Sequence, residues 1–203
     1  MLLCDKDIRE LCLPAHEKIV GRQHIPQMLD PFSEGVKEGG VISFGLTHAG
    51  YDLRLGWEFW AYKNTYGEVV DPKGFRDEEY VKRVLDKMTI EQGQYFYLGS
   101  HGYVLGRSLE YIRIPRHIKA RCVGKSTLAR VGILINTTPL EPGWEGYLTI
   151  EIGNTSPSTV RLYPGEGISQ LEFETLSSEP ETSYADKRGV YMHQTGVTAA
   201  RVS

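Results

Sequence analysis

Glycine and proline break up the second half of this chain so often that only short extended segments fit between them. The segments 94–98, 103–108, 110–114, 118–123, 160–163 and 168–173 are rich in apolar and β-branched residues, and Gly or Pro follows four of the six. Short strands at that spacing indicate a β barrel or sandwich. At 203 residues the chain is long enough for one domain with a full core and a terminal arm.

One stretch of this pattern stands out, Gly124 to Asn154. It opens on Gly124-Lys125-Ser126-Thr127 with Arg130 close behind, passes through an apolar run and a Pro142-Gly143 turn, and ends in Tyr147-Leu148-Thr149-Ile150-Glu151-Ile152. Alternation along that last segment puts Glu151 on one face with Tyr147 and Thr149, opposite Leu148, Ile150 and Ile152. A carboxylate that faces a cleft is open to pKa tuning and proton transfer, whereas one facing water is an ordinary strand glutamate. Gly124-Lys125-Ser126-Thr127 has the ending of a phosphate-binding P-loop, but Lys119 stands where that motif needs its first glycine. The cations and hydroxyls of Lys125, Ser126, Thr127 and Arg130 still suit phosphate oxygens, through charge-assisted hydrogen bonds.

Before this stretch, Asp5 is placed to cap a short helix through Leu13, with Ile8, Leu11 and Cys12 on its apolar side and Pro14 ending it. Pro26 to Gly45 reads as a long surface loop with one short strand at 41–44. Residues 49–56 alternate as a strand, with Tyr51, Leu53 and Leu55 on one face and Asp52 and Arg54 on the other, and 57–62 continues the sheet. A second helix is expected over 78–87, where Val81, Val84 and Leu85 recur at helical spacing. Residues 176–203 are polar, charged and glycine-punctuated, the composition of an arm that closes on an anionic ligand.

Composition narrows the function. A net charge of −3 without a basic block argues against duplex nucleic acid as a partner. Three scattered cysteines form no disulfide framework or thiol zinc site, and a reducing cytoplasm is the simplest home. The first residues carry acids where a signal peptide needs an apolar core, and no stretch is long enough to span a bilayer, so no membrane role is expected. The six histidines include no HExxH, and the HxE and PCxxC elements of zinc deaminases are missing, so no protein-bound metal is expected.

In order along the chain, Leu3-Cys4-Asp5-Lys6-Asp7-Ile8, Gly50 to Gly56, Phe96-Tyr97-Leu98, Gly124 to Arg130, Glu141 to Gly146, Ile150-Glu151, Pro164-Gly165 with Ile168 to Leu171, and the tail from Tyr191 resemble the dCTP deaminase family, in the group that includes trimeric dUTPases. The resemblance implies a single mainly β domain over 1–203: a distorted β barrel of the dUTPase type with a few short helices. It further implies a homotrimer with active sites at subunit contacts, each closed by the arm at 176–203. The implied reaction is hydrolytic deamination of dCTP to dUTP and ammonia, without zinc, with Mg²⁺ carried by the triphosphate. Glu151 would shuttle protons, Arg130 would hold Glu151 or the exocyclic group, and Ser126 would bind near the reacting water or a phosphate. Lys125, Ser126, Thr127 and Arg130 would bind substrate, with Glu141 near the deoxyribose and Gln170, Tyr184, Lys187, Tyr191 and Gln194 completing the enclosure.

The same scaffold hosts two other activities: a dUTPase, and a bifunctional enzyme giving dUMP and pyrophosphate. Val190, Asn136 and Pro139 stand where the family commonly has lysine, histidine and a small residue, which leaves dCMP or a modified cytosine nucleotide as alternative substrates. A nucleotide-binding regulator without turnover is the non-enzymatic alternative. Related enzymes are often inhibited by dTTP, which makes dTTP a candidate effector.

Overall fold

The structure is a computed structural model and describes residues 1–13, 19–20, 23–24, 27–63 and 69–202. Pro14, Pro26 and Ser203, which the sequence marks as a helix stop, a loop start and the end of the arm, lie outside the described residues. The first half of the chain contains α1 Asp5–Cys12, β1 Ile19–Val20, β2 Gln23–His24, β3 Leu29–Asp30, β4 Gly45–Thr47, β5 Gly50–Arg54, β6 Glu58–Tyr62, α2 Glu78–Val84, β7 Leu85–Thr89 and β8 Phe96–Leu98. The second half contains β9 Tyr103–Arg113, β10 Ile118–Gly124, α3 Ser126–Ala129, β11 Ile133–Ile135, β12 Glu145–Asn154, β13 Val160–Leu162 and β14 Gly167–Thr175.

The architecture is mainly β. One sheet runs β10-β14-β5-β4, the larger runs β11-β12-β9-β6-β7 with β3 added beside β9, and β8 pairs with β13. Among the described residues the ladders do not close into one ring. The two sheets touch where Leu55 bridges Ser108 and where the Gly56 N–H bonds the Arg107 carbonyl at 2.8 Å. Tyr51, Leu53 and Leu55 from one sheet and Phe59, Ile112, Ile150 and Ile152 from the other join a single buried core. No helix among the described residues is long and apolar enough to cross a membrane.

Four local expectations are corrected. Asp5 is the first residue of α1, and Cys4 is its cap. Asp7 reaches back to accept the Cys4 N–H at 3.0 Å, the better geometry for the free amide. The segment 57–62 does not extend the sheet before it, because the chain crosses at Leu55-Gly56 and β6 enters the larger sheet. The helix expected over 78–87 stops at Val84, where Leu85 to Thr89 pairs with β6 and satisfies the backbone groups of that strand. The segments 103–108 and 110–114 are one strand, β9, carrying a bulge. There the register shifts by two residues between Tyr147↔Tyr111 and Thr149↔Arg107, and the Ser108 hydroxyl fills the gap. It donates to the Glu110 carbonyl at 2.7 Å and accepts the Leu148 N–H at 2.9 Å.

Beside the bulge, Glu110 lies on the inward face of β9 with Ser108 and Ile112 and is fully buried. Burial pushes its pKa up, and Arg54 opposes that shift from the facing sheet. The Arg54 Nε donates to Glu110 at 2.7 Å and the Arg54 backbone N–H to the other carboxylate oxygen at 3.0 Å. Removing one partner of such a pair strands a buried charge, so Arg54→Ala is expected to cost about 3–5 kcal/mol. The exposed Arg121–Glu174 pair, at 2.7 Å, is the control, and Arg121→Ala is expected to cost under about 1 kcal/mol. Denaturant unfolding of both variants checks the contrast.

Candidate active site

The pleat of β12 sends Leu148, Ile150 and Ile152 to the core and leaves Tyr147, Thr149 and Glu151 on the outer face of the larger sheet, as alternation predicts. On most open sheets that face meets water. Here the C-terminal arm crosses it and encloses a cavity of about 500 Å³. The floor holds Glu151, Thr149, Leu105, Tyr62 and Tyr103, and the roof holds Tyr191, Gln194 and Thr198 to Ala200. Trp144, Glu141 and Pro139 form one end. The arm is held along its length: Tyr184 N–H bonds the Pro142 carbonyl, Trp144 Nε1 donates to the Tyr191 carbonyl and Tyr147 N–H to that of Gln194, each at 2.9 Å.

Burial disfavours the charged form of Glu151 and pushes its pKa from an ordinary value near 4.5 to about 7, a shift that its own backbone N–H partly opposes. Its Oε2 is buried and has no hydrogen-bond partner. The neighbouring acids differ: Lys119 pairs with Glu141 at 3.0 Å, and His193 Nδ1 lies 2.8 Å from Glu145. Burial, and then the charge of Glu151, push Tyr103 up to about 12. Tyr62 is raised by burial, then by Tyr80 and Glu151. Both phenols are therefore neutral donors near pH 7, beside a carboxyl group poised between its two forms. Such a group takes a proton from water and returns it to a nearby base in the same cycle.

Of the residues singled out in the sequence, the structure brings Glu151, Glu141, Tyr184, Tyr191 and Gln194 to this cavity. Lys187 lines a neighbouring cavity of about 350 Å³ that also touches Glu141 and Tyr184. The others stand elsewhere. Lys125 forms an ion pair with Asp52, and Gln170 Nε2 donates to the other Asp52 oxygen at 3.1 Å. Ser126, Thr127 and Arg130 are exposed on and after α3, where Arg130 donates to the Ser126 carbonyl at 2.9 Å. Among the described residues no ion pair joins Arg130 to Glu151.

Some of the site carries no signal in the sequence. Asp52 shares its strand's polar face with Arg54, yet nothing local marks it as the partner of Lys125. Tyr62 and Tyr103 come from β6 and β9, and only their cross-strand register brings them beside Glu151. Among the described residues no three His, Cys, Asp or Glu side chains converge as a metal-ligand group.

The family model described as dCTP deaminase-like matches residues 22–176. A dCTP deaminase of Acidiphilium cryptum is 46% identical over 175 residues, covering 86% of this chain and 91% of its own length. One from Granulibacter bethesdensis is 47% identical over the same coverage. The solved 2'-deoxycytidine 5'-triphosphate deaminase from Agrobacterium tumefaciens matches 86% of this chain with a TM-score of 0.56 at 20% identity, a likeness of fold. This chain spans 48% of that one. With a family model over most of its length and relatives this similar, the chain belongs to the dCTP deaminase-like family.

Proposed function

We propose that this protein hydrolyses dCTP to dUTP and ammonia, with Glu151 moving the protons. The observation that carries the reading is a half-buried carboxyl group inside a roofed cavity, its Oε2 without a hydrogen-bond partner and its pKa raised to about 7, in a chain 46% identical to a dCTP deaminase. Ionised Glu151 takes a proton from water as the oxygen bonds to C4 of cytosine. The protonated acid then passes that proton to N3. The remaining hydroxyl proton travels to the amine, the C4–N bond breaks, ammonia leaves, and Glu151 returns to its starting state.

The assembly proposed with this chemistry is a homotrimer of distorted barrels. What supports it is the separation of the two candidate groups: the acid lies under the arm, while Lys125, Ser126, Thr127 and Arg130 lie outside its cavity, the last three exposed. A neighbouring copy would bring Ser126 and Arg130 to the reacting end and Lys125, Thr127 and Gln170 to the phosphates. Lys125 would have to exchange Asp52 for phosphate. Glu141 would meet the deoxyribose, Lys187 the phosphate tail, and Tyr184, Tyr191 and Gln194 would complete the enclosure. Mg²⁺ would enter with the triphosphate. Three free cysteines fit action in a reducing cytoplasm.

Two predictions follow the acid. Chromatography of wild-type reactions on dCTP is expected to give dUTP with ammonia, and Glu151→Gln to lose at least about 10²-fold in that rate while still binding dCTP. Near-normal turnover by the variant removes Glu151 from the mechanism, and dUMP with pyrophosphate marks the bifunctional activity instead. The second concerns stability. The unfolded chain releases the Glu151 proton near 4.5, whereas the folded one keeps it to about 7. The folded state thus binds more protons between those values, and this group's contribution is full below about pH 4.5 and lost as pH rises through about 7. Unfolding midpoints across that window are expected to fall less steeply for Glu151→Gln than for the wild type.

A further inference from the structure

We propose that Glu58 and Thr149 form the latch that seats residues 194–198 of the arm over Glu151, as positioning residues for the deamination proposed above. The Thr149 hydroxyl bonds the arm twice: it donates to Gln194 Oε1 at 2.9 Å and accepts the Thr198 N–H at 3.0 Å. Glu58 Oε2 accepts the Val197 N–H at 3.2 Å, and its other oxygen is fixed by Trp60 Nε1 at 3.1 Å. Arg107 stands between the two latch residues. It lies opposite Thr149 on the ladder, 3.5 Å from Glu58, with its guanidinium 4.4 Å over the Tyr147 ring.

Thr149, Arg107 and Glu58 thus make one row across β12, β9 and β6, and the arm docks along it. The arm approaches closely because two residues have no side chain. A Cβ on Gly146, whose φ is +149°, would lie 2.8 Å from the Gln194 nitrogen, and one on Gly196 would lie 2.6 Å from Glu58 Oε2. Once seated, Gln194 and Val197 are 7% and 5% exposed.

The row acts on the site through position. Thr149 lies two residues from Glu151 on the same face of the same strand, and Thr198 to Ala200, at the end of the latched segment, are part of the cavity roof. Losing the latch lifts the roof and readmits water, and leaves the buried core of the sheets untouched. Gln194 follows a related logic. Its carbonyl oxygen takes the Thr149 hydroxyl and its amide points to the Tyr191 carbonyl at 3.3 Å, so in this closed arrangement it serves as part of the latch.

The test compares Thr149→Val, Thr149→Ser and Glu58→Ala with the wild type. Hydrogen exchange of the 194–200 amides is read without nucleotide, and kcat and KM for dCTP are read separately. Valine keeps the shape of threonine without the hydroxyl, so Thr149→Val is expected to speed exchange at Thr198 and raise KM by about 10-fold or more, with a smaller change in kcat. Thr149→Ser restores the hydroxyl and is expected to stay within about 3-fold of wild type on both measures. Glu58→Ala is expected to speed exchange at Val197. Unchanged exchange in Thr149→Val, or a serine variant as defective as the valine one, overturns the latch. A wild-type protein that leaves dCTP intact overturns the deaminase reading alone, and the latch is then judged by exchange.

Discussion

The ladder between β12 and β9 decides which way Glu151 points, and most of the molecule's useful geometry depends on it. A register offset of one residue would send Glu151 into the core and Ile150 to the surface. The observed offset is two, which preserves the facing of every side chain on both strands. Beside the bulge, the unbroken alternation of β9 turns Glu110 inward to meet Arg54 from the opposite sheet. The irregularity therefore leaves both that tie between the sheets and the face that carries Glu151 undisturbed. Ser108 is the residue that makes this possible, since its hydroxyl replaces the ladder bond that Leu148 would otherwise lack.

Glu151 is distinguished from the other acids by what surrounds it. Glu110 is more deeply buried but answered by Arg54, Asp52 is answered by Lys125, and Glu141 by Lys119. Each of those carboxyl groups has a cation beside it. Glu151 has burial without a partner, so the energy gap between its two protonation states is small near neutrality. That balance depends on the arm, because without a roof the outer face of a sheet is wet.

How much of this was legible in the sequence depends on the range of the interactions involved. Alternation along Tyr147 to Ile152 gave the correct face for Glu151 because pleat parity is a local property of a strand. Helix spacing over Val81, Val84 and Leu85 was a sound signal, yet Leu85 was claimed by β6, a competitor invisible in a local window. Lys125 and Gln170 stood out in the sequence as candidate substrate-binding residues, but not their convergence on Asp52, which needs three strands in register. Glu58 could not be found at all. Its role follows from a contact with Val197, 139 residues away along the chain, and no periodicity encodes such a pairing.

The proposed assembly gives the unpartnered acid a further meaning. Burial favours the neutral form of Glu151, whereas a guanidinium brought within about 4–6 Å favours the carboxylate. If Arg130 enters from a neighbouring copy, a single chain leaves the acid balanced between its two forms and the completed site would move it toward the one that accepts a proton from water. The cost of burying a charge would then be met only where the catalytic segments of two copies coincide.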